Sequence, residues 1–345
     1  MTELREVARP VASETLRLSY REALSASLQR ACTEFEEILV YGEDVAGPGG
    51  VFGVTKGLQS MFGERVFDTP ISEAAILGSA IGAAMMGRRP VVEVMWVDFC
   101  LVALDQLVNQ AANVRYVSRG RLQAPIVVRT QQGTLPGACA QHSQSLEAIF
   151  CHIPGLRVAM PATAQDAYDL LLAAVVCNDP VVFIEHRALY TGSKEDVVVG
   201  GPIQDIGGGA IRRNGEDVTV VSWGAMLHRV LAAAERLGPS GISVEVIDAR
   251  WLSPFDHALV ASSVRKTGRV MIVHEANRTG GFGGEVIARL AEQRVPLRAA
   301  PRRVGLPDMR VPAAPSLLEA LLPSSDQLAV EIKEMVSSTG ERFAL

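Results

Sequence analysis

The chain has 345 residues, 48% of them hydrophobic and 21% charged, which is the balance of a packed globular protein and enough length for two domains. A net charge of −5 without a basic stripe argues against nucleic acid or anionic membranes as partners, and no apolar run is long enough to span a membrane. Five scattered cysteines without a Cys-x-x-Cys pair, and a start without the apolar core of a secretory signal, indicate a cytoplasmic protein.

In the first half of the chain, short apolar runs alternate with amphipathic stretches. The runs predict strands at Ile38–Tyr41, Val91–Met95, Ile126–Arg129, Arg157–Ala159 and Val181–Glu185. The stretches between them predict helices at Tyr20–Glu34, Glu73–Met86, Val102–Ser118, Ser145–Cys151 and Ala164–Cys177. This alternation predicts a parallel sheet with helices covering both faces.

The alternation stops in a glycine-rich stretch and then resumes. The second series predicts strands at Val218–Ser222, Val244–Ile247 and Arg269–His274, with helices at Met226–Leu237 and Phe255–Lys266. The fold class is therefore α/β with two α/β domains. We expect a flexible N-terminal arm at 1–15, a first domain at 16–190, a linker at 191–216 and a second domain at 217–345.

Glu73 is the first candidate functional residue. It opens a helix built almost wholly of small residues, directly after Thr69-Pro70-Ile71-Ser72. A thin helix admits another backbone or a flat ligand, and apolar neighbours then influence the protonation of the carboxylate. Two interpretations stay open: a carboxylate that complements the helix dipole, or a proton-transfer group.

Further candidates lie in segments that follow predicted strands. His142 follows a breaker-rich loop, where it is either a general acid/base or an ordinary hydrogen-bonded histidine. Trp96 and Phe99 follow another strand and either stack on a planar ring or pack in the core. The glycines around Gly281 lack the spacing of a dinucleotide-binding loop, and neither Ser143 nor Ser145 lies in a nucleophile elbow.

Several motifs, taken together, resemble one family. They are Gly42-Glu43-Asp44-Val45-Ala46, Asp68-Thr69-Pro70-Ile71-Ser72-Glu73, Ala140-Gln141-His142-Ser143-Gln144 and Pro180-Val181-Val182-Phe183-Ile184-Glu185-His186. From about Leu18 to the final helix, the chain resembles the beta subunit of the thiamine-diphosphate-dependent decarboxylating component of 2-oxo acid dehydrogenase complexes, of pyruvate, acetoin and branched-chain types. The resemblance implies an N-terminal domain that binds the cofactor's pyrimidine. It also implies a transketolase-like C-terminal domain for subunit contacts and acyltransferase docking.

The resemblance also implies residue roles. Glu73 matches the glutamate that bonds the pyrimidine ring nitrogen and so activates the cofactor, and Phe99 matches the aromatic that stacks on the pyrimidine. Glu43 matches a second carboxylate near the ring, a member of an acidic proton path. His142 matches the histidine that assists reductive acylation of a lipoyl group. Backbone carbonyls of a further segment match a potassium site, at Ala174, Val175, Cys177 and Asp179.

An absent motif points to a partner. Thiamine enzymes hold the diphosphate and Mg²⁺ through a Gly-Asp-Gly motif followed by Asn, and no Gly-Asp-Gly occurs in these 345 residues. The family resemblance therefore implies an alpha subunit that carries this half of the site, in an α2β2 tetramer, with a lipoyl-bearing acyltransferase core or a carrier protein as acceptor. One alternative is a subunit of a split transketolase-like enzyme that transfers a two-carbon ketol unit. A non-catalytic α/β scaffold is another, and the substrate's acyl chain is left open.

Overall fold

The computed structural model describes residues 12–338, which divide into two compact units. The first unit contains the residues up to Gln132 and Ile149–Ile206, and the second contains Gly133–Ala148 and the residues from Gly207 onward. The division after Ile206 falls inside the predicted linker at 191–216. The placement of segment 133–148 differs from the predicted one. The predicted first domain at 16–190 includes this segment, whereas in the structure it packs with the second unit.

Parallel strands form the sheet of the first unit. They are β2 (Ile38–Gly42), β3 (Val66–Asp68), β4 (Arg89–Val94), β5 (Val127–Gln132), β6 (Arg157–Ala159) and β7 (Val181–His186). Their spatial order is β6-β7-β5-β4-β2-β3. Because helices cover the sheet, every residue of β4, β5 and β7 is buried.

The helices of the chain's first half are α1 (Tyr20–Glu34), α2 (Leu58–Phe62), α3 (Glu73–Met85), α4 (Val114–Val117), α5 (Glu147–Cys151) and α6 (Ala164–Val176). Helix α1 starts at a capping box in which Ser19 and Glu22 bond each other's backbone N–H. Thr163 caps α6 by accepting a hydrogen bond from the Asp166 N–H. These caps explain why both helices start where the sequence predicts.

The predicted helix at Val102–Ser118 is wrong as one continuous element. A π-helical turn at Gln106–Ala111 and the short α4 replace it, after a 3-10 turn at Val97–Leu101. The Asn113 side-chain amide donates to the Asn109 carbonyl oxygen at 3.4 Å, which offers the backbone an alternative to regular helical bonding.

The second unit has its own sheet, in the order β14-β13-β10-β11-β9, with β9 alone antiparallel to its neighbour. The strands are β9 (Ala210–Arg213), β10 (Val218–Ser222), β11 (Val244–Asp248), β13 (Val270–Asn277) and β14 (Arg302–Leu306), with the short β12 at Trp251–Ser253. The helices are α7 (Met226–Leu237), α8 (His257–Thr267), α9 (Gly283–Glu292), α10 (Pro315–Leu321) and α11 (Ser325–Ser337).

Some boundaries differ from the predicted ones for local reasons. Helix α8 begins after Asp256, not at Phe255, because the Asp256 side chain accepts a hydrogen bond from the Leu259 N–H and caps the helix. The predicted linker contains β9 and a further strand, β8 (Glu195–Val199). Strand β1 (Glu14–Leu18) pairs with β8, so the end of the predicted arm at 1–15 is a strand, while residues 1–11 lie outside the described part.

Across residues 12–338, no helix combines the length and the apolar character needed to cross a membrane.

Candidate active site

Two carboxylates follow the carboxyl ends of adjacent strands. Glu43 comes directly after β2, and Glu73 opens α3 a few residues after the neighbouring β3. Carboxyl ends of parallel strands meet at one edge of a sheet, which is where open α/β sheets bind ligands. Gly42 permits the close passage of β2 beside β4, because a Cβ there would lie 2.5 Å from the Glu93 carbonyl oxygen.

Asp68 at the end of β3 fixes the loop that carries Glu43. Its carboxylate accepts hydrogen bonds from the backbone N–H of Ala46 at 2.6 Å and of Gly47 at 3.1 Å. The Thr69 N–H donates to the Gly42 carbonyl oxygen at 2.9 Å, which joins the two strand ends a second time. The backbone on both sides of the carboxylate pair is therefore held by hydrogen bonds.

The pair is electrostatically coupled. Burial raises the pKa of the Glu43 carboxyl, and the negative charges of Asp44 and Glu73 raise it further. Within residues 12–338, the carboxylates of Glu43 and Glu73 have neither a hydrogen-bond nor an ion-pair partner, and both are half-buried. Both groups are therefore available to a ligand, and a raised pKa suits a group that exchanges protons.

Phe99 belongs to the same neighbourhood. It lies half-buried in the 3-10 turn after β4, the strand next to β2. Burial and the charges of Asp98 and Glu73 raise the pKa of the adjacent Cys100 thiol to about 12, which places this turn within electrostatic reach of Glu73. The structure thus brings Glu43, Glu73 and Phe99 to one edge of the first unit's sheet.

Trp96, just before this turn, is packed and strained. Its φ of 67° and ψ of 128° fall in a region that bulky residues rarely adopt. The Arg187 guanidinium lies 4.6 Å from the Trp96 ring centroid, and the Phe52 ring meets it edge-on at 5.3 Å. The Trp96 N–H also donates to Gln131 Oε1 at 3.3 Å. These contacts hold the backbone from which the Phe99 turn starts.

The surface of α3 fits a flat ligand or a close neighbour. Ala74, Ala75 and Gly82 are exposed, and a Cβ at Gly82 would meet no atom within 4 Å. Leu77 and Ala80 on the other side of α3 are fully buried. Helix α3, which begins at Glu73, therefore packs on the core with one side and has small exposed residues on the other side.

His142 lies in the second unit, within segment 133–148. It is half-buried, and its Nδ1 lies 2.8 Å from the Gln141 carbonyl oxygen. With the proton on Nδ1 donated to that carbonyl, Nε2 is left as a proton acceptor. That tautomer is the one in which Nε2 can act as a general base, and His142 lies in a different unit from the carboxylate pair.

A buried ion cluster lies among the first unit's strands, and the sequence analysis missed it. Arg129 on β5 bonds both oxygens of Glu185, at 2.6 and 2.8 Å, and Glu93 Oε2 at 2.7 Å. Tyr190 donates to Glu185 Oε2 at 2.5 Å. Burial and the nearby Glu185 raise the pKa of Glu93, although the Arg129 charge opposes this. The signal in the sequence was three charged residues within otherwise apolar strands.

The predicted potassium ligands lie at the carboxyl end of α6 and beyond. The carbonyl oxygens of Val175 and Cys177 accept hydrogen bonds from Arg89 Nη1 at 3.0 and 2.9 Å. The Ala174 carbonyl oxygen accepts the Cys177 N–H at 3.2 Å. The Asp179 side chain bonds the guanidinium groups of Arg115 and Arg157. Guanidinium groups thus already bond oxygen atoms of this segment and supply positive charge beside them. This arrangement does not support a potassium ion at the same place.

Within the described range 12–338, no group of three or more His, Cys, Asp or Glu side chains is arranged to hold a metal ion.

Comparison with known proteins gives two matches to family models and several close relatives. Residues 17–193 match the transketolase pyrimidine binding domain, and residues 207–328 match the transketolase C-terminal domain. The chain is 40% identical to the beta subunit of acetoin:2,6-dichlorophenolindophenol oxidoreductase of Cupriavidus necator, over 92% of this chain and 97% of that protein. It is 39% identical to the 2-oxoisovalerate dehydrogenase beta subunit of Bacillus subtilis, over 92% and 98% of the two chains.

A third relative and one solved structure complete the comparison. The pyruvate dehydrogenase E1 component beta subunit of Staphylococcus epidermidis is 42% identical, over 84% of this chain and 89% of that protein. A solved structure described as split gene transketolase, inactive beta4 tetramer, superposes with a TM-score of 0.76, over 94% of this chain and 100% of that one. At 24% sequence identity, this likeness shows the shared fold of two transketolase-like α/β domains.

Proposed function

The chain belongs to the family of thiamine-diphosphate-dependent 2-oxo acid dehydrogenase beta subunits, and on this premise we propose that Glu43, Glu73 and Phe99 form its pyrimidine-binding half-site. Its relatives are named as oxidoreductase and dehydrogenase subunits, which favours oxidative decarboxylation of a 2-oxo acid over ketol transfer. The observation that carries the proposal is the coupled, unpartnered pair Glu43 and Glu73 beside the Phe99 turn.

The cofactor and the protein divide the chemistry. Thiamine diphosphate, when bound, supplies the electron sink on which a 2-oxo acid loses CO₂. Glu73 holds a proton between its carboxylate and a ring nitrogen of the pyrimidine. Glu43 supplies a second carboxyl group nearby, whose pKa is raised by burial and by the charges of Asp44 and Glu73, so that it can hold a proton of an acidic proton path. Phe99 orients the ring by stacking on one face.

His142 serves a later step in this proposal. Its Nε2 acts as acid and base when the acyl group passes to a lipoyl group of the acyltransferase core, or to a carrier protein in its place. The hydrogen bond between Nδ1 and the Gln141 carbonyl oxygen supports the role by leaving Nε2 free of the ring proton. His142 therefore acts on the acceptor, whereas Glu73 acts on the cofactor.

The rest of the site belongs to a partner in this proposal. The sequence has no Gly-Asp-Gly motif, so an alpha subunit supplies the Mg²⁺ and diphosphate ligands, in an α2β2 assembly. Five free cysteines suit a reducing compartment, and we place the protein in the cytoplasm. The potassium site at Ala174–Asp179 stays a prediction. If this site binds K⁺ in the folded state, the Tm of the protein should be higher in KCl than in NaCl at equal ionic strength.

The proposal is tested by co-expression with the cognate alpha subunit. The complex is assayed with thiamine diphosphate and Mg²⁺ against pyruvate, 2-oxoisovalerate and acetoin, with either a lipoyl domain or a free aldose as acceptor. We expect acylation of the lipoyl domain with one of these substrates, with release of CO₂ from a 2-oxo acid or of acetaldehyde from acetoin. Transfer of a two-carbon ketol unit from a ketose donor to the aldose, without lipoyl acylation from any of the three substrates, would contradict a dehydrogenase and favour a ketol transferase.

A further inference from the structure

The segment that carries His142, residues 133–148, is bonded to the second unit at its start, middle and end. The Thr134 N–H donates to Glu275 Oε1 at 2.5 Å, at the start of the segment. In the middle, the Gly137 N–H donates to the Ala313 carbonyl oxygen at 3.0 Å. The transketolase-like C-terminal domain therefore holds the histidine's backbone.

The end of the segment is anchored in the core of the second unit. The Trp223 Nε1–H donates to Glu147 Oε1 at 3.1 Å, and both side chains are buried. The Trp223 ring stacks on the His274 imidazole, with the ring centroids 5.3 Å apart. This end cannot move without disturbing buried aromatic packing. At the start, the Glu275 carboxylate fixes the Thr134 N–H.

Between these ends the segment borders a cavity with a mixed lining. Ser143, Glu275 and Arg310 contribute polar groups, and Leu146, Leu306 and Val311 contribute apolar ones. Ser143 is only 3% exposed, and the Oγ atoms of Ser143 and Ser145 have no hydrogen-bond partner among residues 12–338. The hydrogen bonds of the Thr134 and Gly137 N–H groups therefore contribute to the position of the segment that carries His142.

We propose that Glu275 is a positioning residue for His142: by fixing the Thr134 N–H at the start of the segment, it sets the course of the segment and so where the imidazole lies. Glu275 is 6% exposed and lies in the buried part of β13, a rigid support. A displacement of about 1 Å at a reacting group costs up to about 100-fold in rate. The inference rests on the proposed function, because it assigns the C-terminal domain a part in the His142 step.

Hydrogen exchange tests the placement without any activity. In Glu275→Ala, we expect faster amide exchange confined to 133–148, with the exchange of β10 and β11 unchanged. Glu275→Gln keeps an acceptor oxygen for the Thr134 N–H and should retain the slow exchange. Glu245→Gln is the matched control, since Glu245 is a fully buried carboxylate of the same unit that bonds Lys266 instead of the segment.

Activity of the complex with the alpha subunit then separates positioning from general damage. In Glu275→Ala we expect kcat for lipoyl acylation to fall about tenfold or more, while decarboxylation coupled to an artificial electron acceptor and the affinity for thiamine diphosphate stay at wild-type values. Glu275→Gln should restore acylation. Unchanged exchange of 133–148 in Glu275→Ala, or a parallel loss of both partial reactions, would overturn the proposal. If the wild-type complex shows no decarboxylation, the proposed function is wrong. The hydrogen-exchange result would then still test whether Glu275 holds segment 133–148.

Discussion

Glu43 and Glu73 follow adjacent parallel strands, and burial, followed by the charges of Asp44 and Glu73, raises the pKa of the Glu43 carboxyl. Two half-buried carboxylates without a cation between them cost folding free energy. Such pairs are typical of sites that bind a basic ligand or move a proton, because a ligand proton relieves the repulsion. This pair is therefore the feature of the first unit that most directly indicates an acid/base function.

Glu73→Gln should abolish most activity. The amide cannot accept or return a proton, so we expect the decarboxylation rate of the complex with the alpha subunit to fall by about 100- to 10,000-fold. Glu64→Gln, which changes an exposed carboxylate of the same unit, serves as the control and should keep full activity. Steady-state kinetics and gel filtration measure the two effects. Near-normal turnover of the Glu73→Gln complex would contradict the proton-transfer role.

Glu43→Gln should raise stability above neutral pH. The folded-state pKa of Glu43 is raised above its usual 4.5, so the folded state binds the proton more tightly than the unfolded state does. Stability is therefore lost as pH rises from about 4.5 through the folded-state pKa. The amide that Glu43→Gln introduces does not ionise, so the variant does not lose this stability as pH rises. Its Tm should exceed that of the wild type at pH 7.5 but equal it at pH 4. An equal Tm difference at both pH values would show that the folded-state pKa of Glu43 is not raised.

Arg129→Met should be severely destabilising. It leaves Glu93 and Glu185 buried without a counter-charge, which costs about 3–5 kcal/mol. Arg17→Met is the control, because the Arg17–Asp196 pair is two-thirds exposed and should contribute less than about 1 kcal/mol. Urea unfolding of both variants measures the difference. Similar unfolding free energies would mean that the buried cluster contributes no more than a surface pair.

The strand order is the part of the site that local rules predict. Glu43, Glu73 and Phe99 follow strands that a parallel sheet aligns, so they lie at one edge of the sheet, whereas their roles come from the family resemblance and stay predictions. The association of 133–148 with the second unit has no local signal, because Glu275 and Trp223 lie far along the chain. The break in the predicted helix at Val102–Ser118 is accompanied by a hydrogen bond from the Asn113 side chain to the Asn109 carbonyl oxygen, which hydrophobic periodicity does not register.

The central claim is that this chain holds half of a cofactor site. The most direct measurement is turnover of a 2-oxo acid by the purified chain alone and after addition of the cognate alpha subunit, with thiamine diphosphate and Mg²⁺ in both. We predict no turnover by the chain alone and full activity at an equimolar ratio of the two subunits. Full turnover by the chain alone would contradict the claim.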